Sequence, residues 1–415
     1  MELEFGFGTG KQVVTLPEEN LMGVLTANKV EYDLTGSAEV ARALEAPIGA
    51  PDLSQVVHPG EKIAIVTSDI TRPCPTWHIM PPLLDKLYAA GVKAEDITLV
   101  FALGSHRHHT EAEMEHLAGE RAYKEIKCVD STPDDCIHMG VTKVGTPVDI
   151  SRVVAEADRR ICLGNIEYHY FAGYSGGAKA IMPGVSTRTA IQVNHSMMVR
   201  EEAHAGKLEG NPIREDIEEA AAICGVDYIV NVVLDEHKNI IKAVAGDLTK
   251  AHREGCRFLD KTYLKLLDKK ADIVLVSQGG APKDLNLYQT QKALDNAKHA
   301  VRDGGVIILM GSCKEGLGEK TFQTWIMEAK THKDLIERVQ SNFQLGGHKA
   351  AAIAMVLEKA DVYLVSEMPD ELTRKCFLTP FHSAQEALDA AFAKLGKDAT
   401  VLAMPYGGST LPQLA

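Results

Sequence analysis

Basic residues are scarce: 44 lysines and arginines stand against 57 aspartates and glutamates, a formal net charge of −13. A polynucleotide backbone needs the reverse balance, so nucleic acid is excluded as a general partner, although a local basic pocket for a small anion stays open. Long apolar runs are also missing. No stretch approaches the ~20 residues that span a bilayer. The first eleven residues, MELEFGFGTGK, have neither the basic start nor the apolar core of an export signal, so no membrane and a cytoplasmic location are expected. The eight cysteines, at 74, 128, 136, 162, 224, 256, 313 and 376, contain no CxxC pair. They are expected as reduced thiols, not as zinc ligands or a disulfide framework. No low-complexity tract interrupts the chain. No convincing G-x-G-x-x-G follows a strand-like run, which disfavours ordinary dinucleotide binding.

What is present is an average globular composition, 45% hydrophobic and 24% charged, over 415 residues. That length suggests two domains of roughly 150–250 residues each. Strand-like apolar runs fall at 62–67, 96–102, 127–130, 148–150 and 161–164, and helical patterns at 77–90, 153–157 and 212–224. A hairpin at 227–234 and 240–245 and a helix at 251–267 follow. The glycine-rich 6–11 segment precedes a strand-like stretch, so it reads as a turn between strands instead of a phosphate loop. After a hinge at 268–270 the alternation resumes. Strands are expected at 272–277, 305–310, 361–365 and 400–403, and helices at 287–303, 320–330, 332–340, 349–358 and 383–395. The fold class is α/β: two α/β domains, each with a largely parallel sheet flanked by helices, and an active site in the interdomain cleft. The expected boundaries are 1–267 for the first domain, rejoined by a tail at 404–415, and 271–403 for the second.

Polar residues gather where strands should end. Asp69 and Arg72 follow 62–67, and taken alone they read as a local salt bridge closing a loop. Three histidines and an arginine, His106 to His109, follow 96–102 and suggest an anion or metal nearby. His106 is the candidate, with His108 and His109 outside the tight turn, behind the site or in solvent. The stretch 161–195 is the richest. A strand leads to His169, then to the turn Gly173-Tyr174-Ser175-Gly176-Gly177, Lys179, Pro183-Gly184 and finally His195.

From these residues alone, Lys179 reads as holding a phosphate-bearing cofactor, with one histidine for acid–base work and one for a metal. The loop N–H groups and the Ser175 hydroxyl would face the phosphate. In the second domain Tyr288, Gln289 and Lys292 share a helix face, and Arg72 with Lys292 would clamp a carboxylate. Two histidines around one small substrate allow proton transfer in either stereochemical sense. Redox at a carbinol carbon would also demand a cofactor, since side chains cannot accept a hydride. Two alternatives remain at this point: a nicotinamide-dependent dehydrogenase acting at such a carbon, and a non-catalytic metal- or anion-binding protein. A short echo links 101–107 with 343–349, both ending in His and a basic residue.

Over nearly its whole length the chain resembles the nickel-pincer lactate racemases and their homologues, the LarA-like 2-hydroxyacid racemases and epimerases. The resemblance is carried by Asp69-x-x-Arg72-Pro73, Gly104-x-His106-Arg107, His169, Ser175-Gly-Gly, Lys179 and His195, and by Pro282-Lys283-Asp284, Tyr288-Gln289 and Lys292. It implies nickel and a pyridinium-3-thioamide-5-thiocarboxylic acid mononucleotide (the nickel-pincer nucleotide) attached covalently to Lys179, with His195 on the metal. His106 and His169 would be the two bases, and hydride would leave and return to C2 through a 2-keto acid. Arg72, Lys292 and Gln289 would hold the substrate carboxylate, with Tyr288 beside them. Asp69, Ser175, Gly176 and Gly177 would lie against the cofactor. The implied partners are the small 2-hydroxyacid and the proteins that build the cofactor and insert nickel, with a homodimer as the candidate assembly. Two departures leave the choice of 2-hydroxyacid open: Arg107 is followed by His108-His109 instead of proline, and Tyr168 and Tyr170 flank His169.

Overall fold

The computed structural model describes every residue except 105. The backbone divides into two compact units, Val30–Lys261, and Met1–Lys29 together with Thr262–Ala415.

Val30–Lys261 is built on a six-stranded sheet. From one edge its order is Ile240–Gly246, Tyr228–Leu234, Arg159–Asn165, Ile63–Ser68, Ile97–Ala102 and Lys127–Asp130. Only the first pair is antiparallel, the expected hairpin; the others are parallel. The strands read as continuous apolar runs because both faces are covered. Ile63, Ile65, Leu99, Phe101, Ile161 and Val230 share one core with the helices Gly36–Glu45 and Thr76–Ala89. The alternating residues Ala64, Val66, Val100 and Cys162 are buried on the opposite face.

The path of the chain matters for function. From Ile63–Ser68 it runs outward to Ile97–Ala102 and Lys127–Asp130, then returns to Arg159–Asn165 on the other side. The strand order therefore reverses beside Ile63–Ser68, and α/β sheets bind ligands outside the carboxyl ends of strands at such a switch point. Pairing Ser68 with Ala102, and Val66 with Cys162, brings three strand exits to one rim. The expected strand at 148–150 exists as Pro147–Ser151, but it pairs with Cys136–Val141 outside the main sheet. The helix expected after it is a single turn, Arg152–Ala155.

The second unit carries a parallel sheet in the order Thr379–Phe381, Asp361–Val365, Val301–Met310, Ala271–Ser277, Val401–Met404, Leu21–Val24. The glycine-rich start is indeed a turn, between Glu2–Phe7 and Gly10–Thr15. That hairpin buries Phe5 and Val14 against Ile273, Leu275, Val306 and Val401.

Four expectations are corrected. Residues 1–29 belong with the C-terminal sequence, because Leu21–Val24 is an edge strand beside Val401–Met404 and the hairpin completes that core. The tail does not return to the first domain: Leu411–Leu414 pairs with Leu264–Leu267 inside the second unit. That pairing also ends the helix Lys250–Tyr263 early, since tertiary pairing overrides local helical pattern. Likewise the helix expected over 287–303 stops at Ala297, where Val301 pairs with Ala271. None of the eight cysteines is in a disulfide, and six are buried. Among the described residues no helix is long and apolar enough to cross a membrane.

Candidate active site

Asp69 stands one residue beyond Ile63–Ser68, with only 4% of its side chain exposed. Its Oδ2 lies 2.6 Å from Nδ1 of His106, and the Thr71 hydroxyl donates to Oδ1 and Oδ2 at 2.9 and 3.1 Å. Burial pushes the Asp69 carboxyl up, but the hydrogen bond and charge of His106, the Thr71 hydroxyl and the charge of Arg72 outweigh it and hold the group below its ordinary pKa. An ionised carboxylate at Nδ1 keeps the proton there and turns Nε2 into the working nitrogen of His106. Arg72 is not bridged to Asp69, so the local salt bridge is replaced by Asp69–His106. The Arg72 N–H closes the turn on the Asp69 carbonyl at 3.1 Å, and its side chain is exposed.

The next strand exit folds back on itself. The Ser175 hydroxyl donates to the Asn165 carbonyl at 2.7 Å and accepts from the Glu167 N–H at 2.9 Å. The Ser175 N–H donates to the Glu167 carbonyl at 2.8 Å, and the Gly177 N–H to Asn231 Oδ1 at 2.7 Å. These groups are the expected phosphate donors, and they are engaged by the loop itself and by Asn231 on the strand Tyr228–Leu234. The physical reason is that a short 3-10 turn, Gly177–Ala180, follows in place of a helix N-terminus. Gly176 and Gly177 have φ of +73° and +56°. A Cβ would come within 2.8 Å of Asn231 on the first and 2.9 Å of the His252 ring on the second, so only glycine lets the loop pack here and aim Lys179.

Lys179 is half-buried, with Nζ 6.0 Å from the centre of the Phe171 ring. Burial first, then the charges of Arg72 and Arg214, hold its amine well below the ordinary lysine pKa, against an opposing pull from Glu167. A neutral amine is a nucleophile. His169 is held well below its ordinary pKa in the same way, by burial and then by Lys179, Arg72, His195 and Arg214. A neutral imidazole can take up a proton.

His195 ends the helix Arg188–His195 and is buried. Asn194 Nδ2 donates to Asp216 Oδ2 at 2.7 Å and to the Ile213 carbonyl at 3.2 Å, so its Oδ1 must face His195. Nδ1 of His195, at 2.8 Å, then carries the proton, and Nε2 keeps its lone pair. Among the described residues no group of three or more His, Cys, Asp or Glu could hold a metal ion. A metal on His195 would therefore bring most of its other ligands with it.

Phe171, which no motif or spacing singles out, is the hub. Its ring meets His169 edge-on at 4.5 Å and His195 at 4.8 Å. Arg214, fully buried and with its pKa pushed down to about 10 by that burial, donates from Nε to the Ala172 carbonyl at 3.1 Å and from Nη2 to the Tyr174 carbonyl. The Gly104 N–H donates to the Gly184 carbonyl at 2.8 Å, tying the His106 loop to the turn after Lys179. Asp69, Arg72, His106, His169, Lys179 and His195 thus meet at one rim, linked by contacts and by mutual charge effects.

Residues 7–206 match the model of the lactate racemase N-terminal domain, and residues 266–411 that of the lactate racemase C-terminal domain. The chain belongs to the lactate racemase family. It is 34% identical to the lactate racemase of Thermoanaerobacterium thermosaccharolyticum over 421 residues, covering 99% of this chain and 98% of that one. It is 32% identical to the lactate racemase of Lactiplantibacillus plantarum, covering 96% of each. The solved structure of the Thermoanaerobacterium lactate racemase apoprotein superposes with a TM-score of 0.91 at 33% identity, covering 100% of both chains. A crystal structure of a Thermotoga maritima protein, at 20% identity, covers 92% of this chain and all of its own with a TM-score of 0.67, which shows a shared fold. The enzyme is an isomerase, a racemase.

In its other unit this racemase presents Tyr288, Gln289 and Lys292 on the helix Leu287–Ala297. Asn286 Oδ1 caps it by accepting from the Gln289 N–H at 3.1 Å, and Gln278 Nε2 donates to the Gln289 carbonyl at 3.0 Å. Lys292 is exposed, and Tyr288 and Gln289 are half-buried. Lys349, at the end of the 343–349 echo, is buried; its Nζ donates to the Tyr288 carbonyl at 2.8 Å and lies 3.9 Å from the Tyr288 ring centre. The echo was the available signal for Lys349. Asp284 is a structural tie, accepting from the N–H groups of Gly8 and Ser312 at 2.7 and 3.0 Å.

Proposed function

We propose that the chain inverts C2 of a 2-hydroxycarboxylic acid, lactate or a close relative, with a nickel-pincer nucleotide tethered to Lys179. The observation that carries this is Lys179 itself, aimed by a turn that only glycines allow and with its amine pKa lowered by burial. A covalent amide-type link needs an unprotonated nucleophile, and the lowered pKa of Lys179 favours that form. Nickel needs an imidazole lone pair, which His195 Nε2 retains while Nδ1 donates to Asn194. Bound there, a nickel-pincer nucleotide would supply a hydride acceptor, which would take the substrate through its 2-keto acid.

The remaining work belongs to the chain. His106, oriented by Asp69, and His169 each face one enantiomer. One takes the proton of the C2 hydroxyl as hydride leaves, and the other, in its protonated form, gives a proton to the keto oxygen as hydride returns, the two exchanging roles in the reverse direction. Arg72, Lys292 and Gln289 hold the carboxylate, where a planar guanidinium gives two parallel bonds, and Tyr288 lines the substrate. Asp69, Ser175, Gly176 and Gly177 would lie against the cofactor. Proteins that build the cofactor and insert nickel act on the chain beforehand.

The test is incubation of cofactor-loaded protein with single enantiomers of lactate, longer 2-hydroxyacids, malate and sugar acids, without nicotinamide. The opposite configuration should accumulate for at least one of them. No inversion of any would defeat the proposal.

A further inference from the structure

His109 stands outside the catalytic set, yet only 1% of its side chain is exposed, against 68% for His108 beside it. Three hydrogen bonds converge on it. The Ile70 N–H donates to Nε2 at 3.0 Å, Nδ1 lies 2.6 Å from Asp130 Oδ1, and the His109 N–H donates to Asp130 Oδ2 at 2.9 Å. A ring nitrogen that accepts from a backbone N–H carries no proton, so Nδ1 carries it and donates to Asp130. Phe101 meets the ring edge-on at 5.4 Å. The imidazole therefore joins the exits of three neighbouring strands: its own after Ile97–Ala102, Asp130 at the end of Lys127–Asp130, and Ile70 just past Ile63–Ser68.

Ile70 lies between Asp69, which orients His106, and the Thr71-Arg72 pair. We propose that His109 is a positioning residue of the active site, holding the Asp69–Arg72 turn so that Asp69 stays on His106 Nδ1 and Arg72 stays presented to a carboxylate. This rests on the 2-hydroxyacid racemase function proposed above. A buried histidine that merely filled space would need no acceptor aimed at a backbone N–H. This one is fixed by bonds from both ring nitrogens, and a misplacement near 1 Å at such a site costs about 10²-fold in rate.

Two variants separate the bonds. His109→Asn keeps a donor at the Nδ1 position, within reach of Asp130, but is too short to accept from Ile70. His109→Gln places a side-chain oxygen near the lost Nε2 and restores that acceptor. In cofactor-loaded enzyme, His109→Asn should raise KM for the 2-hydroxyacid and lower kcat, reducing kcat/KM about 10²-fold, with His109→Gln recovering most of the loss. Amide hydrogen exchange gives a second readout, independent of activity: the Ile70 N–H should be protected in wild type and in His109→Gln and exposed in His109→Asn. Wild-type kinetics in His109→Asn, or equal impairment of the two variants with Ile70 protected in both, would overturn the proposal. So would an Ile70 amide unprotected in wild type. A wild type inactive on every 2-hydroxyacid would instead remove the racemase function, and the exchange data would still decide whether His109 holds the turn.

Discussion

Asn194 and His195 are adjacent in the chain and locked in orientation. Asp216 and the Ile213 carbonyl take both donors of the Asn194 amide, leaving its oxygen to fix Nδ1–H of His195 at 2.8 Å. The partner that orients a metal-binding imidazole typically contributes 10–100-fold to metal affinity. Asn194→Ala should therefore lose nickel at least about tenfold more readily while Lys179 keeps its adduct, measured as nickel per protein after dialysis against a chelator.

Lys179 should carry a mass adduct of nucleotide size in protein produced together with the cofactor-building machinery. Lys179→Ala should lack it. In protein made without that machinery, the lowered pKa predicts that Lys179 reacts with an amine-directed acylating reagent faster than the ordinary lysines do near pH 7. Peptide mapping reads out both.

Asp69→Asn removes the charge that keeps the proton on His106 Nδ1 but preserves its shape. Loss of one positioned acid–base group costs about 10²–10⁴-fold. A fall of that order in kcat is expected for His106→Gln and a fall toward it for Asp69→Asn, with nickel content unchanged, measured by single-enantiomer initial rates.

His169 also predicts a pH dependence of stability. Its folded pKa is depressed, so the stabilisation from keeping it neutral is complete above its unfolded value, near 6.5, and is lost as pH falls below that value. One extra proton bound by the unfolded chain corresponds to about 1.4 kcal/mol per pH unit. Denaturant titrations of the cofactor-free protein between pH 7 and pH 5 should show a shallower decline for His169→Gln than for wild type.

The sheets were legible because their strands are covered on both faces. Ile63–Ser68 and Asp361–Val365 read as continuous apolar runs bounded by turn residues. Leu21–Val24 was not legible: it has four residues, three of them half-buried, and becomes a strand only beside Val401–Met404. Leu264–Leu267 carries a helical pattern that pairing with the chain terminus overrides. In the site, Asp69, His106, His169, Lys179 and His195 stood out because charged or titratable residues at strand exits need a reason. Phe171, Arg214 and Asn194 act through packing and orientation, which spacing does not reveal. His109 looked like surplus at the edge of a histidine cluster, since nothing local announces a bond to a backbone N–H 39 residues away.

The central claim is that the hydrogen on C2 leaves and returns as a hydride held within the site. The direct measurement is mass spectrometry of the product formed from a single enantiomer deuterated at C2, in ordinary water, by cofactor-loaded enzyme. The opposite enantiomer should retain its deuterium. Product with the deuterium replaced by solvent hydrogen would mean inversion by proton abstraction at carbon, and would contradict the account.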